Sequence, residues 1–187
     1  MNVQAKLNQY TDLFEQMEIN PSVKVEVNLV AGRMRSNEQR YQEVSDAMGG
    51  LIPWYFIACI HNMECSLNFN KHLHNGDPLT KRTVLVPAGR PIEPPKNPTG
   101  YTFLESAVDA LTMKGYDKKE SWTLEEMLYR LEKYNGWGYH YKGINSPYLW
   151  AGSNLYTKGK YVSDGVFDED AVSKQLGSAL FIKLLQS

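Results

Sequence analysis

From Trp54 to Asn75 the chain carries neither glycine nor proline. Within that run Phe56, Ile57, Ile60 and Met63 sit adjacent or at the helical spacings of three and four. Pro53 stands just upstream, a residue favoured at a first helical position. The pattern predicts a buried helix from Pro53 to about Phe69. Glu64 interrupts its chemistry. It falls four residues after Ile60 and seven after Ile57, so it projects from the same apolar face. A carboxylate there loses water, which disfavours its charged form and is expected to raise its pKa. His61, three residues back, is within reach. Two readings stand: a helix-end carboxylate that reaches solvent and pairs with a lysine, or an acid kept protonated near neutral pH.

Helical periodicity extends to both sides of this segment. Residues 3 to about 18 place Leu7, Tyr10, Leu13, Phe14 and Met17 on one side. Asn20-Pro21 is a helix start. One long helix is expected from Ser22 to about Met48, with Val23, Val27, Val30, Met34, Tyr41, Val44 and Met48 inward. Gly32 is the place for a bend, and Gly49-Gly50 ends it. After the glutamate helix the texture changes. Asn75-Gly76-Asp77-Pro78 reads as a tight turn and Thr83–Val86 as a short strand, so 70–90 is expected to form a small β wing. The proline-rich 91–100 follows as a loop. Helices return at about 103–113 and at 123–134, the latter opened by a Thr123/Glu126 capping box. Pro147 starts a short helix through Trp150, 151–167 reads as irregular, and a last helix is expected over 169–185, with Val172, Leu176, Leu180 and Leu184 inward. The expected fold class is mainly α with a small β wing inserted after the glutamate helix. The expected organisation is one domain over 1–187: N-terminal helices to residue 50, then a core over 51–187.

Composition limits the function classes. With 20 basic and 21 acidic residues, net charge −1 and no long basic run, nucleic acid is not an expected partner. Apolar residues at 42% fit a globular chain. No apolar run has the length of a membrane span, and MNVQAKLNQYTDLFEQ lacks the charged-then-apolar pattern of a signal peptide. Cys59 and Cys65 point to roughly opposite sides of one helix and cannot bridge each other, so buried free thiols are expected.

The order of elements, a helix ending near a buried Glu, then a wing, then further helices, resembles the lysozyme-like superfamily. Ala58–Asn68, ACIHNMECSLN, looks like the helix-then-Glu signature of goose-type lysozymes and lytic transglycosylases. Tyr134-Asn135-Gly136 looks like the Tyr-Asn-Ala/Gly motif of those families. The runs HLHNGDPLT, VPAGRP, YNGWGY and SPYLW resemble bacterial and phage lysozyme family proteins, a likeness that extends from Pro53 to Leu185. Cys65 stands where the families carry a serine next to the Glu, with Ser66 following. Asp77 and Thr83 match the Asp and Thr of phage-type lysozymes in their mutual spacing, but Asp77 lies 13 residues after Glu64, further than in that type, and Thr80 rivals Thr83.

The resemblance implies an enzyme, a muramidase-type glycoside hydrolase or a lytic transglycosylase, that cuts the glycan of peptidoglycan as an endolysin or a wall-remodelling enzyme. It would be made in the cytoplasm and act on the wall after release or export. A monomer is expected, with no cofactor and no metal. Glu64 would be the general acid. Asp77, on a polar turn, would stay ionised and orient a water, act as nucleophile or steady positive charge; Thr83 would hold the water. Carboxyl separations of about 5–5.5 Å accompany retention and about 6.5–9.5 Å inversion. Tyr134 and Asn135 are candidates for substrate contact, and also for a helix C-cap. Tyr139, Tyr148 and Trp150 are candidates for a substrate-binding wall, and also for core. His74, like His72, would bind substrate or pin the wing by hydrogen bonds.

Two alternatives come from the residues themselves. His61, Glu64, His72 and His74 form H-x2-E-x7-H-x-H, a set a zinc-dependent wall amidase or peptidase would use, although the i, i+3 His–Glu spacing is not the usual two-histidine helix. A non-catalytic peptidoglycan-binding module of the same shape is the other, because fold does not imply function.

Overall fold

A computed structural model describes residues 2–163 and 165–186. The chain is mainly helical with a small two-stranded antiparallel sheet. It divides into two compact units, Met34–Trp122 and a second built from Met1–Arg33 with Thr123–Ser187. No helix among the described residues is long and apolar enough to cross a membrane.

The unit over 34–122 holds the glutamate helix. Helix α1 (Val3–Gln16) belongs to the other unit; α2 (Lys24–Arg35) carries the division in its last turn; α3 (Glu38–Ala47) and α4 (Trp54–Cys65) then pack on each other. The expected single helix over 22–48 is broken at Ser36-Asn37, not bent at Gly32. Both residue types favour helix ends because their side chains compete for backbone groups, and the Asn37 amide bonds the Met34 carbonyl. Gly49 and Gly50 end α3 as expected, both at positive φ, with the Gly50 amide on the Ser45 carbonyl at 2.8 Å. Helix α4 is apolar all round: Phe56 to His61 are buried without interruption. It stops at Cys65, four residues short of the expected end. Ser66 and Leu67 take left-handed conformations, φ 52° and 59°, in which the Ser66 amide bonds the Asn62 carbonyl. Helix α5 (Phe103–Met113) completes the unit against α3, opened by a reciprocal Thr102/Glu105 capping box.

The segment 70–90 is not a β wing of strands. One isolated bridge, Lys71 to Pro78, and a set of turns occupy it. The strands lie instead at β1 (Lys160–Ser163) and β2 (Val166–Asp168), in the stretch expected to be irregular. Tyr161 pairs with Phe167 there, and Lys160 with Asp168.

In the other unit α1 packs on α6 (Leu124–Asn135). Two four-residue helices follow, α7 (Gly138–Tyr141) and α8 (Pro147–Trp150), and α8 packs on α6 and on α9 (Ser178–Leu185). Tyr10, Phe14, Met17, Leu128, Leu131, Trp150, Leu180 and Phe181 are buried. Gly177 is required where α9 begins: a methyl group there would lie 2.2 Å from the Leu149 carbonyl oxygen. Helix α9 is half its expected length. Residues 169–177 give their backbone groups elsewhere: Asp168 Oδ1 takes the amides of Asp170 and Ala171, the Ala171 carbonyl takes Gly159 N–H, and Tyr156 Oη takes Ser173 N–H. Val172, expected inward, is exposed.

Candidate functional site

Glu64 sits on the last turn of α4, half-buried, between the buried Ile60 turn and Cys65. The helix ends there, with the Ser66 amide on the Asn62 carbonyl and the Asn68 amide on the Cys65 carbonyl, each at 3.0 Å. One turn back, His61 is fully buried. Its Nδ1 lies 2.9 Å from Tyr41 Oη, and its ring packs on Phe69 and Phe103 at centroid distances of 4.4 and 4.5 Å. Nε2 meets no donor or acceptor among the described residues with good hydrogen-bond geometry. Burial brings the His61 pKa down to about 4, against a weaker upward push from the Asn68 backbone, so the ring is neutral at pH 7. The thiol of Cys65 is buried and donates to the His72 carbonyl at 3.2 Å. Burial, reinforced by the Glu64 charge, pushes its pKa up to about 12, so this cysteine acts as a pin and not as a nucleophile.

Asp77 follows a tight turn whose backbone meets the end of α4. The His72 amide bonds the Asp77 carbonyl at 2.7 Å and the Gly76 amide bonds the His72 carbonyl at 2.9 Å. Gly76 has φ +79°, and a methyl group on it would lie 2.7 Å from the Glu64 carbonyl oxygen. Only glycine permits that approach. The backbone next to Asp77 thus lies against the backbone of Glu64, despite the 13 intervening steps of sequence. Asp77 Oδ2 accepts the amides of Val84 and Leu85 at 2.8 and 2.9 Å and the Asn75 side-chain N–H at 3.2 Å. Burial alone would raise its pKa, but the Leu85 and Val84 amides outweigh it and hold the carboxyl below the usual carboxylate range. Asp77 is ionised at neutral pH, as expected. Oδ1 takes no hydrogen bond from the described residues and is the oxygen left for a water or a ligand.

Thr83 does not face that oxygen with a free hydroxyl. It is buried, donates to the Pro87 carbonyl at 2.5 Å and accepts the Arg90 amide at 2.9 Å. Its proton is committed to closing the loop, where a water-holding group had been expected. Thr80, its rival, is exposed.

His74 is enclosed, not displayed to a substrate. Its Nε2 lies 2.7 Å from Asp109 Oδ2, and the same carboxylate holds Arg90 through two contacts of 2.9 Å. Burial lowers the His74 pKa, with Asp109 opposing. His72 uses both nitrogens, Nδ1 on Ser106 Oγ and Nε2 on the Lys81 carbonyl, each at 2.9 Å. Since a carbonyl only accepts, Nε2 carries the proton and the Ser106 hydroxyl donates to Nδ1. The two histidines pin the 70–90 segment to α5. Ser106, His74 and Asp109 have the connectivity of a hydrolytic triad, but Ser106 is fully buried, 3.5 Å from the His74 ring, and occupied by His72 and the Leu73 amide. A zinc site formed by His61, His72 and His74 does not fit these contacts, and no cluster of three or more His, Cys, Asp or Glu among the described residues is arranged to hold a metal ion.

The remaining candidates belong to the other unit. Tyr134, Tyr139, Tyr148 and Trp150 are all buried, Trp150 at 1% exposure, which favours core over a substrate-binding wall for Tyr139, Tyr148 and Trp150 and places Tyr134 in the packing of α6. Tyr139 Oη accepts the Tyr161 amide and its ring packs on Tyr161 and Phe167, fastening the hairpin. Asn135 is exposed at the end of α6, and Gly136 caps the helix through the Glu132 and Lys133 carbonyls. Three features escaped the sequence reading. Asn75 orients Asp77, and the N-x-D spacing of an Asx turn was its signal. Asp109 is the hub for His74 and Arg90. A pocket of about 350 Å³ is lined by Lys142, Ile144, Lys158, Gly159, Phe167 and Glu169, residues that come together only through the hairpin.

No family model matches the chain, and no curated protein or solved structure matches it significantly.

Proposed function

We propose that this protein cleaves the glycan strand of peptidoglycan, as a lysozyme-like muramidase or lytic transglycosylase, with Glu64 as general acid. The observation that carries the reading is the contact of Gly76 with the Glu64 backbone. It brings the turn that carries Asp77 against the backbone of Glu64, a half-buried residue at an apolar helix end, while Asp77 itself is ionised with Oδ1 open. Two carboxyls in unlike surroundings are what glycoside cleavage uses: one gives its proton to the leaving oxygen, the other stays charged for the oxocarbenium-like transition state or its water. Two consecutive non-glycine residues in left-handed backbone directly after Cys65 add support, because such strain collects at functional sites. Asn75 and the Val84 and Leu85 amides position Asp77, and Thr83 acts through the loop it closes.

The test is mass analysis of fragments released from purified peptidoglycan. The reading predicts disaccharide-peptides with reducing or anhydro ends, released equally well in the presence of EDTA. Free stem peptides with intact glycan, or activity abolished by the chelator, would point to the amidase; no release at all would leave only a binding module.

A further inference from the structure

Val84 to Gly89, VLVPAG, contains no side chain that is charged or forms hydrogen bonds. Val84, Leu85 and Val86 are 64, 61 and 89% exposed. Three consecutive exposed aliphatic residues are costly on a soluble surface unless they have a use. The loop is also held firmly. Its base closes through Thr83 N–H to the Arg90 carbonyl at 2.7 Å and Gly89 N–H to the Thr83 carbonyl at 2.8 Å, and Arg90 is clamped by Asp109. Asp77 takes the Val84 and Leu85 amides, Asn75 donates to the Leu85 carbonyl, and Thr83 donates to the Pro87 carbonyl. Of the five N–H groups between Val84 and Gly89, three are therefore satisfied within the protein: those of Val84, Leu85 and Gly89. An apolar protrusion whose backbone is partly satisfied within the protein loses less on entering a medium of low dielectric constant than one fully hydrated.

The charges at the base indicate which medium. Lys81 and Arg82 precede the loop, both exposed and neither within ion-pair distance of a carboxylate among the described residues. The Arg82 guanidinium lies along the backbone, on the Ile92 carbonyl and Tyr101 Oη. Arg90 is matched by Asp109, and the Asp77 charge is spent on three N–H donors; Glu93 is the exposed acid beyond Pro91. A convex aliphatic tip without an aromatic anchor is poor material for a protein hot spot. With an unneutralised cationic collar it fits a phospholipid surface. We propose that the 84–89 loop inserts into the interfacial layer of an anionic phospholipid membrane, with Lys81 and Arg82 on the headgroup phosphates. This does not depend on the glycan reading.

The experiment is co-sedimentation of the full chain with vesicles of phosphatidylcholine mixed with phosphatidylglycerol, and with phosphatidylcholine alone, at about 0.1 M salt. The parent is expected to bind the mixed vesicles. Val84→Ser, Leu85→Ser and Val86→Ser together are expected to weaken that binding by more than about tenfold, and Lys81→Gln with Arg82→Gln by about tenfold, with little change on phosphatidylcholine. Leu85→Trp guards against a misfolded triple variant: its added fluorescence should shift to the blue on mixed vesicles. A parent that stays in the supernatant, serine variants that bind as well as the parent, or an unshifted emission from the Leu85→Trp protein would overturn the proposal. So would loop variants that instead convert a dimer to a monomer in sedimentation velocity, because a second copy would then be what covers the loop.

Discussion

Two glutamates occupy apolar helix faces, and their surroundings give them different work. Glu132 lies four residues after Leu128 on α6, nearly fully buried; it accepts a hydrogen bond from Tyr10 Oη and has Lys6 Nζ at 3.7 Å. Burial, then the Glu132 charge, pushes the Tyr10 pKa far above its usual range, so the phenol remains a donor. That cluster fastens α1 to α6. Glu64 is half-exposed at a helix end, beside a strained turn and the Gly76 contact. Removing one member of a buried pair strands the other, so Glu132→Ala should cost about 3 kcal/mol of stability in urea denaturation. A loss below about 1 kcal/mol would mean the cluster is solvated and not a clamp. The spacing argument that singled out Glu64 applies equally to Glu132, and nothing in spacing alone separates them. What separates them is the partner α1 supplies, more than a hundred residues away in sequence.

At the scale of elements, local signals were legible wherever the chain settles its own geometry. The capping box at Thr123, Pro147 at the start of α8, the double glycine after α3 and the periodicity of α1 and α5 each appear where expected. The failures arise where backbone groups are taken by distant partners. Thr83–Val86 has strand composition, but Asp77 and Asn75 take its amides and a carbonyl, so it becomes a loop. Residues 169–177 lose their helix to Asp168, Gly159 and Tyr156. The strands at 160–163 and 166–168 were signalled by short β-rich runs on either side of Gly165, which has φ 71°, and Gly-richness masked them. The turn that carries Asp77 to α4 depends on Gly76. Gly76→Ala imposes a side chain at positive φ against a backbone oxygen that cannot yield. It should lower the melting temperature and reduce wall clearance together; unchanged clearance would detach Asp77 from the site.

The molecule as a whole carries three buried histidines, His61, His72 and His74, whose pKa values burial lowers. In the unfolded chain each takes up a proton near pH ~6.5. In the folded chain His61 does so only near pH 4. Over that window the unfolded state binds more protons, so stability is full above about pH 6.5 and falls as the pH drops, by on the order of 3 kcal/mol from His61 before levelling off. Denaturation curves across the window should show this slope, and His61→Gln should flatten it; a parent equally stable at both ends would refute the burial argument. The central claim, however, concerns Glu64. Its amide isostere keeps the shape and removes the proton it would give. Glu64→Gln should melt within a few degrees of the parent and clear purified cell walls about a thousandfold more slowly or not at all. A folded Glu64→Gln protein that clears walls at the parental rate would contradict the account.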